Sequence, residues 1–444
     1  MSGPRSRGAE PLRFDLEGGG LALLEASHDV PLVSIVVALR CGSAADPAGK
    51  AGLARIALRM LRRGCEGLSS EQIDFRIDAL GAEMAVDTSP STVAIHAQVI
   101  ARNLDAFVDL VARMLSTSTF PEGELDRLKR ESIAEIIESR DNDSVIARKA
   151  LQRTLFDGHP YGRNAGGTTQ SIAAISRSDV IEFCTRYVVK RNLVVGLSGD
   201  VGDDRATHYA SRLVGGLAGG DVAPDEISEP VMRPGRRLLV VDKPERTQTQ
   251  MLIGTMGSSP HDDDHVPLIV SNAVFGGTFT SRLTKAIRSE RGWSYGASSR
   301  ASVDRHRQAW VLWTFPAAAD AGPCLGLAIE LLEKWVRGGV TRGELSFIQR
   351  YLTRSHAFDI DTAAKRLHQA LDVELLALPE DYFSGWTDHV RGVTSESAGA
   401  AVVRRIHPSD LLCVVLGTAS EVLDPLRSAV PDLAEANVVP FDLE

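Results

Sequence analysis

In the first half of the chain, apolar residues form a continuous run near each end. Between these two runs they recur at the spacing of a helix. The run VPLVSIVVALRCG (30–42) predicts a strand; a polar turn with Asp46 and a helical segment over 52–63 follow. In LDAFVDLVARMLS (104–116) apolar residues recur every three or four positions, which predicts an amphipathic helix. NLVVGLSGD (192–200) predicts a second strand, closed by glycine.

The second half of the chain follows the same order. TQTQMLIGTMG (247–257) predicts a strand, a turn with Asp264 follows, and VPLIVSNAVF (266–275) predicts a helix. The segment LGLAIELLEKWVRG (325–338) has the spacing of an amphipathic helix, and DLLCVVLGT (410–418) predicts a closing strand. This order favours two domains of the same kind.

Two pairs of landmarks keep one offset between the halves. Asp46 and Asp264 are 218 positions apart, and so are Gly199 and Gly417. The shared offset favours an internal duplication; a chance alignment of short apolar strands is the alternative. Strands at the ends of each half with helices between them predict two homologous α+β domains, each a mostly antiparallel sheet with helices packed on one face.

Composition indicates where the domain boundaries are expected. The stretch 215–237 is rich in glycine, proline and acids and predicts a linker between an N-terminal domain over 13–214 and a C-terminal domain over 238–444. Residues 1–12 are expected to form a disordered leader, because no apolar stretch follows the two arginines there as it would in a signal peptide or membrane anchor.

Charge and cysteine content narrow the classes of function. The net charge of −9 and the lack of a basic run argue against nucleic acid as a partner. The five cysteines form no C-x-x-C pair, and most lie in apolar runs, so buried free thiols in a reducing cytoplasm are expected.

The segment GLARIALRMLRRG (52–64) carries the most specific signal. It resembles the active-site helix of the pitrilysin/insulinase family of zinc peptidases, whose motif G-L-A-H-x-x-E-H holds two zinc-binding histidines and a general base. Arg55, Leu58 and Arg59 stand at those positions. A guanidinium has no lone pair and stays protonated, and leucine accepts no proton, so the chain is expected to hold no metal.

Two further segments extend the resemblance. GHPYGRNAGGTTQSIAAISRSD (158–179) and GGTFTSRLTKAIRSERGWSYG (276–296) resemble ordered motifs of the same family. The resemblance implies two α+β domains forming half of a clamshell chamber that admits unfolded peptides. In two-chain members such as mitochondrial processing peptidase, one subunit carries H-x-x-E-H and zinc, and the other supplies an arginine and a tyrosine. The family's mitochondrial non-catalytic subunit has a long glycine-rich loop, and only Gly276 and Gly277 stand at that place here.

Arg288 and Tyr295 match the family's arginine and tyrosine position by position. An arginine offers five N–H donors to peptide carbonyls, and a tyrosine hydroxyl can donate to an oxygen that becomes negative during peptide hydrolysis. The alternative interpretation is a solvated arginine late in a helix and a tyrosine packed on a sheet. Trp293, which lies between them, is interpreted as a packing residue.

Two other candidate metal positions remain. The family's third zinc ligand, counted from Arg59, falls on Glu135, or on Ile136 in another register, and Glu135 is interpreted as a solvent-facing carboxylate. His261 and His265 have an H-x-x-x-H spacing, but they occupy a proline-flanked turn where an acidic helix cap is favoured over a metal site.

The sequence therefore predicts a catalytically inactive subunit of a heterodimeric zinc endopeptidase. It pairs with a homologous H-x-x-E-H chain, supplies Arg288 and Tyr295, and acts on extended peptides without membrane or nucleic acid. The alternatives are a structural protein, like the core proteins of the respiratory cytochrome bc complex, and a peptide-binding homodimer. An active homodimer is disfavoured, because Ala273, Gly276 and Gly277 stand 218 positions beyond the motif and offer no ligands.

Overall fold

The structure is a computed structural model that describes residues 11–222, 224 and 226–444. The first ten residues of the predicted leader lie outside this range, and Leu12 begins the first strand. The described residues between 216 and 235, within the predicted linker, form neither helix nor strand.

The strands of the described residues are β1 (Leu12–Asp15), β2 (Leu21–Ala26), β3 (Leu32–Leu39), β4 (Gly64–Cys65), β5 (Leu68–Ser69), β6 (Glu83–Thr88), β7 (Val93–Ile100), β8 (Leu193–Gly199), β9 (Arg236–Asp242), β10 (Gln250–Met256), β11 (Ala297–Ala301), β12 (Ala309–Thr314), β13 (Leu412–Gly417) and β14 (Leu433–Pro440).

The α-helices are α1 (Leu53–Met60), α2 (Ser70–Ala79), α3 (Leu104–Ser116), α4 (Glu122–Glu138), α5 (Asp143–Leu155), α6 (Thr169–Ala174), α7 (Arg177–Tyr187), α8 (Asp203–Gly215), α9 (His265–Asn272), α10 (Arg282–Thr284), α11 (Ala321–Gly338), α12 (Arg342–Asp359), α13 (Ala363–Leu375), α14 (Trp386–Gly392), α15 (Ser395–Arg405) and α16 (Ala419–Ala429).

The sheets of the two halves share a strand order. The first runs β1-β2-β8-β3-β7-β6 and the second β14-β9-β13-β10-β12-β11. In both, the second and third strands of this order are parallel and the next three neighbouring pairs are antiparallel. Only the edge strands differ: β1 pairs antiparallel and β14 parallel. Five strands in the same order and direction support the duplication predicted from the offset.

The chain divides into two compact units of discontinuous sequence. Unit 1 takes in the described residues up to Ile136 together with Arg163–Ile227 and Ala357–Glu380; unit 2 takes in Ile137–Gly162, Ser228–His356 and Asp381–Glu444. Each unit therefore contains a segment from the opposite half of the chain.

The segments that change units carry equivalent helices. In unit 2, α5 packs on β10 and β13, and in unit 1, α13 packs on β8 and β2. A glycine makes room at each contact: a Cβ on Gly196 would lie 2.9 Å from Leu371 Cδ1, and one on Gly254 would lie 2.9 Å from Leu151 Cδ1. The main helical layer lies on one sheet face, as predicted, and these helices cover part of the other face.

The apolar pattern of its strands explains the larger of the two hydrophobic clusters in unit 1. Alternate residues of β2 and β3, such as Ala22, Leu24 and Ile35, join one cluster with α1 and α3. Residues of the opposite face, such as Leu21 and Leu23, pack with the leucines of α13. The central strands of the sheet are thus buried on both faces, which agrees with their continuous apolar runs.

Candidate functional site

Helix α1 begins on a buried carboxylate. Asp46 accepts hydrogen bonds from the backbone N–H of Gly52 (2.7 Å) and of Ala54 (2.8 Å), which are donors at the start of the helix. Burial raises the pKa of Asp46 to about 7, against the lowering effect of these hydrogen bonds. Apolar side chains of α1 face the core of unit 1, so its arginines lie on the opposite face.

The three positions of the missing zinc motif have distinct surroundings. Leu58 is buried in the core. Arg55 and Arg59 both reach Glu135 on α4: Arg55 Nη2 lies 2.9 Å from Glu135 Oε2, and Arg59 Nη2 lies 2.9 Å from Oε1. Ile136 is buried in the core. Glu135, and not Ile136, therefore faces α1. Its side chain is partly exposed, as interpreted from the sequence, but it is also ion-paired with two arginines.

These contacts are part of a longer arrangement that we call the arginine–glutamate ladder. It joins Arg55, Arg59 and Arg63, four residues apart, to Glu135, Glu131 and Glu124 of α4. Arg63 Nη2 lies 2.6 Å from Glu131 Oε2 and Arg63 Nη1 3.7 Å from Glu124 Oε2. Residue order reverses between the partners, so the two helices run antiparallel. The four-residue spacing of the arginines was the signal for this ladder in the sequence.

An open cavity of about 410 Å³ lies beside the ladder. It is lined by Arg55, Leu58, Arg59, Arg62, Arg63, Asp74, Met84, Ala85 and Val86. The groups at this place do not fit zinc, because guanidinium ions repel a cation and carry no free lone pair. Across the described part of the chain, no three His, Cys, Asp or Glu side chains are grouped to hold a metal ion.

The ladder predicts a pH-dependent contribution to stability. Although burial opposes it, the hydrogen bonds and charges of Arg59 and then Arg55 lower the pKa of Glu135 below its ordinary 4.5. A lowered carboxylate pKa stabilises the fold above pH 4.5, and the contribution is lost as the pH falls through the lowered value. We expect Glu135→Gln to lower the free energy of unfolding at neutral pH and to match the unmodified chain in acid, as measured by urea titration.

The matched control for this measurement is Glu138→Gln. Glu138 lies one helical turn from Glu135 on α4, is exposed, and has no arginine partner among the residues described. Its substitution is expected to change the free energy of unfolding little at any pH. An equal effect of both substitutions would contradict a specific role of the ladder.

Arg288 and Tyr295 lie in unit 2, on the segment before β11. Arg288 belongs to a π-helical turn, Lys285–Glu290, so it lies in a helical segment, as in the alternative interpretation. Its Cζ lies 4.6 Å from the ring centre of Phe279, a cation–π contact with a ring that is 73% exposed. Tyr295 is 82% exposed, so it is not the sheet-packed aromatic of the alternative interpretation.

The backbone around Tyr295 is held firmly although its ring is exposed. Ser294 Oγ donates to the carbonyl of Gly296 (2.8 Å) and accepts from the N–H of Phe315 (3.3 Å). Thr314 Oγ1 donates to the same carbonyl (2.9 Å). An exposed aromatic on a held backbone loses little further conformational entropy on binding, which suits a contact residue.

Neighbouring signals have structural explanations. Trp293 packs partly buried against the core of unit 2, as interpreted from the sequence, with Arg291 over its ring. His265 is buried between Ser258 Oγ (2.8 Å) and Tyr382 OH (2.9 Å), and burial lowers its pKa to about 4.

The predicted acidic cap is replaced by an ion pair. Asp264 stands at the N-terminus of α9, but its carboxylate makes no cap hydrogen bond and instead pairs with Arg405 at 2.8 Å. The turn is structural, as expected, but this ion pair holds it in place of a helix cap.

All five cysteines are buried and free, as predicted, and burial raises the pKa values of the Cys184, Cys324 and Cys413 thiols to about 12. Among the helices of the described residues, none has the length and apolar character needed to cross a membrane.

Comparisons with known proteins agree with this geometry. The sequence model of the insulinase family, peptidase family M16, matches residues 21–169, and that of the peptidase M16 inactive domain matches residues 174–352. This chain belongs to the M16 peptidase family. It is similar to an uncharacterized zinc protease of Mycobacterium leprae, 27% identical over 76% of each chain. It is also similar to YmxG of Helicobacter pylori, a non-peptidase homolog, 22% identical over 81% of this chain and 83% of the relative.

Solved structures share the fold. A peptidase M16 inactive domain from Pseudomonas fluorescens has a TM-score of 0.84 and 22% identity, covering 92% of this chain and 98% of its own. A chain of complex III2 from Candida albicans has a TM-score of 0.75 and 12% identity, covering 94% and 98%. The two-domain α+β fold of the family is thereby confirmed, and the names of the relatives are those of peptidases and of proteins without peptidase activity.

Proposed function

We propose that this chain is the non-catalytic subunit of a two-chain M16 peptidase, that it pairs with a homologous chain bearing H-x-x-E-H, and that it supplies Arg288 and Tyr295 to the partner's site. The observation that carries the proposal is Tyr295, whose ring is exposed while Ser294 and Thr314 hold the carbonyl of the next residue, Gly296. A ring that only stabilised the fold would be expected against the core.

The state of α1 supports the non-catalytic half of the proposal. The inactive-domain match covers residues 174–352 and does not include α1, so it does not bear on that helix. The argument there is chemical: Arg55 and Arg59 hold Glu135 in ion pairs, and Leu58 has no proton acceptor. A subunit with this helix depends on another chain for zinc, which when bound polarises the peptide carbonyl and activates water.

Each residue of the pair has a defined role. Arg288 would bind backbone carbonyls of an extended peptide, with Phe279 stacked against its guanidinium to restrict its rotamers. The Tyr295 hydroxyl would donate a hydrogen bond to the carbonyl oxygen as negative charge develops there. In a cytoplasmic heterodimer, this chain would form one half of the peptide chamber and its partner the other.

A structural protein or a peptide-binding protein without proteolytic role is the second candidate. The relative YmxG of Helicobacter pylori, a non-peptidase homolog, supports it. The exposed Tyr295 argues against a purely structural role, which gives the ring no function, whereas a peptide-binding protein could use it to hold a peptide.

Purification tests the division of labour. We expect the chain alone to carry no stoichiometric zinc and to leave an unstructured peptide uncut, whereas mixing with any H-x-x-E-H homologue encoded beside it should give cleavage above that of the homologue alone. Zinc content is measured by elemental analysis and cleavage by a quenched fluorescent peptide. Zinc and activity in the single chain would refute the proposal, and a mixture no faster than the homologue alone would favour the second candidate.

A further inference from the structure

The cavity beside α1 has cationic walls and an apolar floor. Arg55, Arg59, Arg62 and Arg63 line it together with Leu58, Met84 and Val86. The four arginine side chains are 16–33% exposed, so their guanidinium groups are partly accessible to a ligand. Such a mixed lining fits a charged group attached to an aliphatic stem.

The arginines keep hydrogen-bond donors beyond their internal partners. A guanidinium carries five N–H groups in a planar fork. Arg55 uses its Nη2 for Glu135, and Arg62 uses Nε for Asp74 (2.6 Å) and Nη1 for the carbonyl of Met84 (3.3 Å). Donors therefore remain at the cavity wall for a planar oxyanion, which a guanidinium fork binds through two parallel hydrogen bonds.

The charges that line the cavity favour an anion. Four arginines and one carboxylate, Asp74, line it, while Glu124, Glu131 and Glu135, which pair with three of these arginines, are not among the lining residues. A monocarboxylate fits better than a phosphate dianion, because the repulsion from Glu135 grows with the charge of the ligand.

We propose that this cavity binds a carboxylate of an extended peptide, either an acidic side chain or the C-terminal carboxylate. The arginines that exclude a metal ion at α1 thus form an anion subsite. Leu58, Met84 and Val86 contact the aliphatic part of the ligand. Because the cavity lies entirely within unit 1, binding requires no partner subunit and stands apart from the role of Arg288 and Tyr295.

Binding to the purified full chain tests the proposal. The probe is a short fluorescein-labelled glycine–serine–alanine peptide with one central Asp, followed by fluorescence anisotropy. One comparison peptide carries Asn instead of Asp, and a second carries an amidated C-terminus, so that the two sources of carboxylate are distinguished. We expect loss of the recognised carboxylate to weaken binding about tenfold, the scale of a charge-assisted bidentate contact.

Three substitutions assign the effect to the cavity. Arg55→Gln should weaken binding about tenfold as well, and the fold should persist because Glu135 keeps its two bonds to Arg59. Arg127→Gln removes the same charge from the same network, but Arg127 does not line the cavity, so affinity should change little. Glu135→Gln removes the internal competitor for the arginines and should strengthen binding.

Several results would overturn the proposal. Equal affinity for the acidic, Asn and amidated peptides would exclude carboxylate recognition. Equal losses from Arg55→Gln and Arg127→Gln would reduce the effect to general electrostatic attraction. Inorganic phosphate that displaces the peptide at concentrations where acetate does not would show that the site prefers a dianion. Circular dichroism of each variant separates loss of binding from loss of folding.

Discussion

Tyr295→Phe is expected to lower kcat of the two-chain enzyme about 10²–10³-fold, the usual cost of removing one oxyanion donor. The effect should fall on kcat with little change in KM, since the hydroxyl acts where charge develops. Folding should be unaffected, because the ring is 82% exposed and Ser294 and Thr314 hold the loop through the backbone of Gly296. Arg288→Ala, in contrast, is expected to raise KM in addition to lowering kcat, because Arg288 is proposed to bind peptide carbonyls already in the ground-state complex.

Matched controls are available on the same unit. Tyr351 is a half-exposed tyrosine on α12, and Arg291 lies three residues from Arg288. Tyr351→Phe and Arg291→Ala should leave peptide cleavage by the mixture unchanged. A mixture that retains full activity after Tyr295→Phe would remove the proposed role from the pair while leaving the family assignment intact.

Replacing two arginines of α1 by histidine is expected to create a zinc site. Arg55 and Arg59 stand four residues apart on one helix face, and both reach Glu135. Arg55→His/Arg59→His therefore brings two imidazoles and one carboxylate together, the ligand set of several catalytic zinc sites. Leu58 is left unchanged because it is buried, and a carboxylate there would be costly. We expect about one zinc ion per chain by elemental analysis and titration calorimetry.

The control for the engineered site is Arg55→Gln/Arg59→Gln, which removes the same ion pairs without providing ligands and should bind no zinc. Adding Glu135→Gln to the histidine variant should weaken zinc binding about 10²-fold or more, since one of three ligands is lost. A folded histidine variant that binds no zinc would contradict this prediction.

Local pattern was enough to predict many elements. Apolar runs predicted β3, β8, β10 and β13, and the three- and four-residue spacing predicted α3 over its full length. Such elements can be predicted because the face that each one buries is determined by residues close in sequence. The π-helical turn that carries Arg288 was not foreseen, because its hydrogen-bond pattern is not encoded in apolar periodicity.

The exchange of helices between units was also beyond the sequence. An amphipathic helix such as α5 or α13 shows that it has a buried face, but nothing in its spacing tells which sheet that face will cover. Gly196 and Gly254 mark the contacts only once their leucine partners are known. The alternative third-ligand positions, Glu135 and Ile136, differ by about 100° around α4, and only packing could decide between them.

The sequence by itself determined which residues stand at the positions of the zinc motif and the duplicated plan of the two halves. Arginine and leucine cannot serve as zinc ligands or as a general base in any fold, so residue identity was sufficient there. Only the tertiary structure decided what replaced the site: Arg55 and Arg59 meet Glu135 in a ladder beside an arginine-lined cavity, and Tyr295 is left exposed. These contacts depend on which elements, distant in sequence, pack together, and local periodicity does not encode that long-range packing.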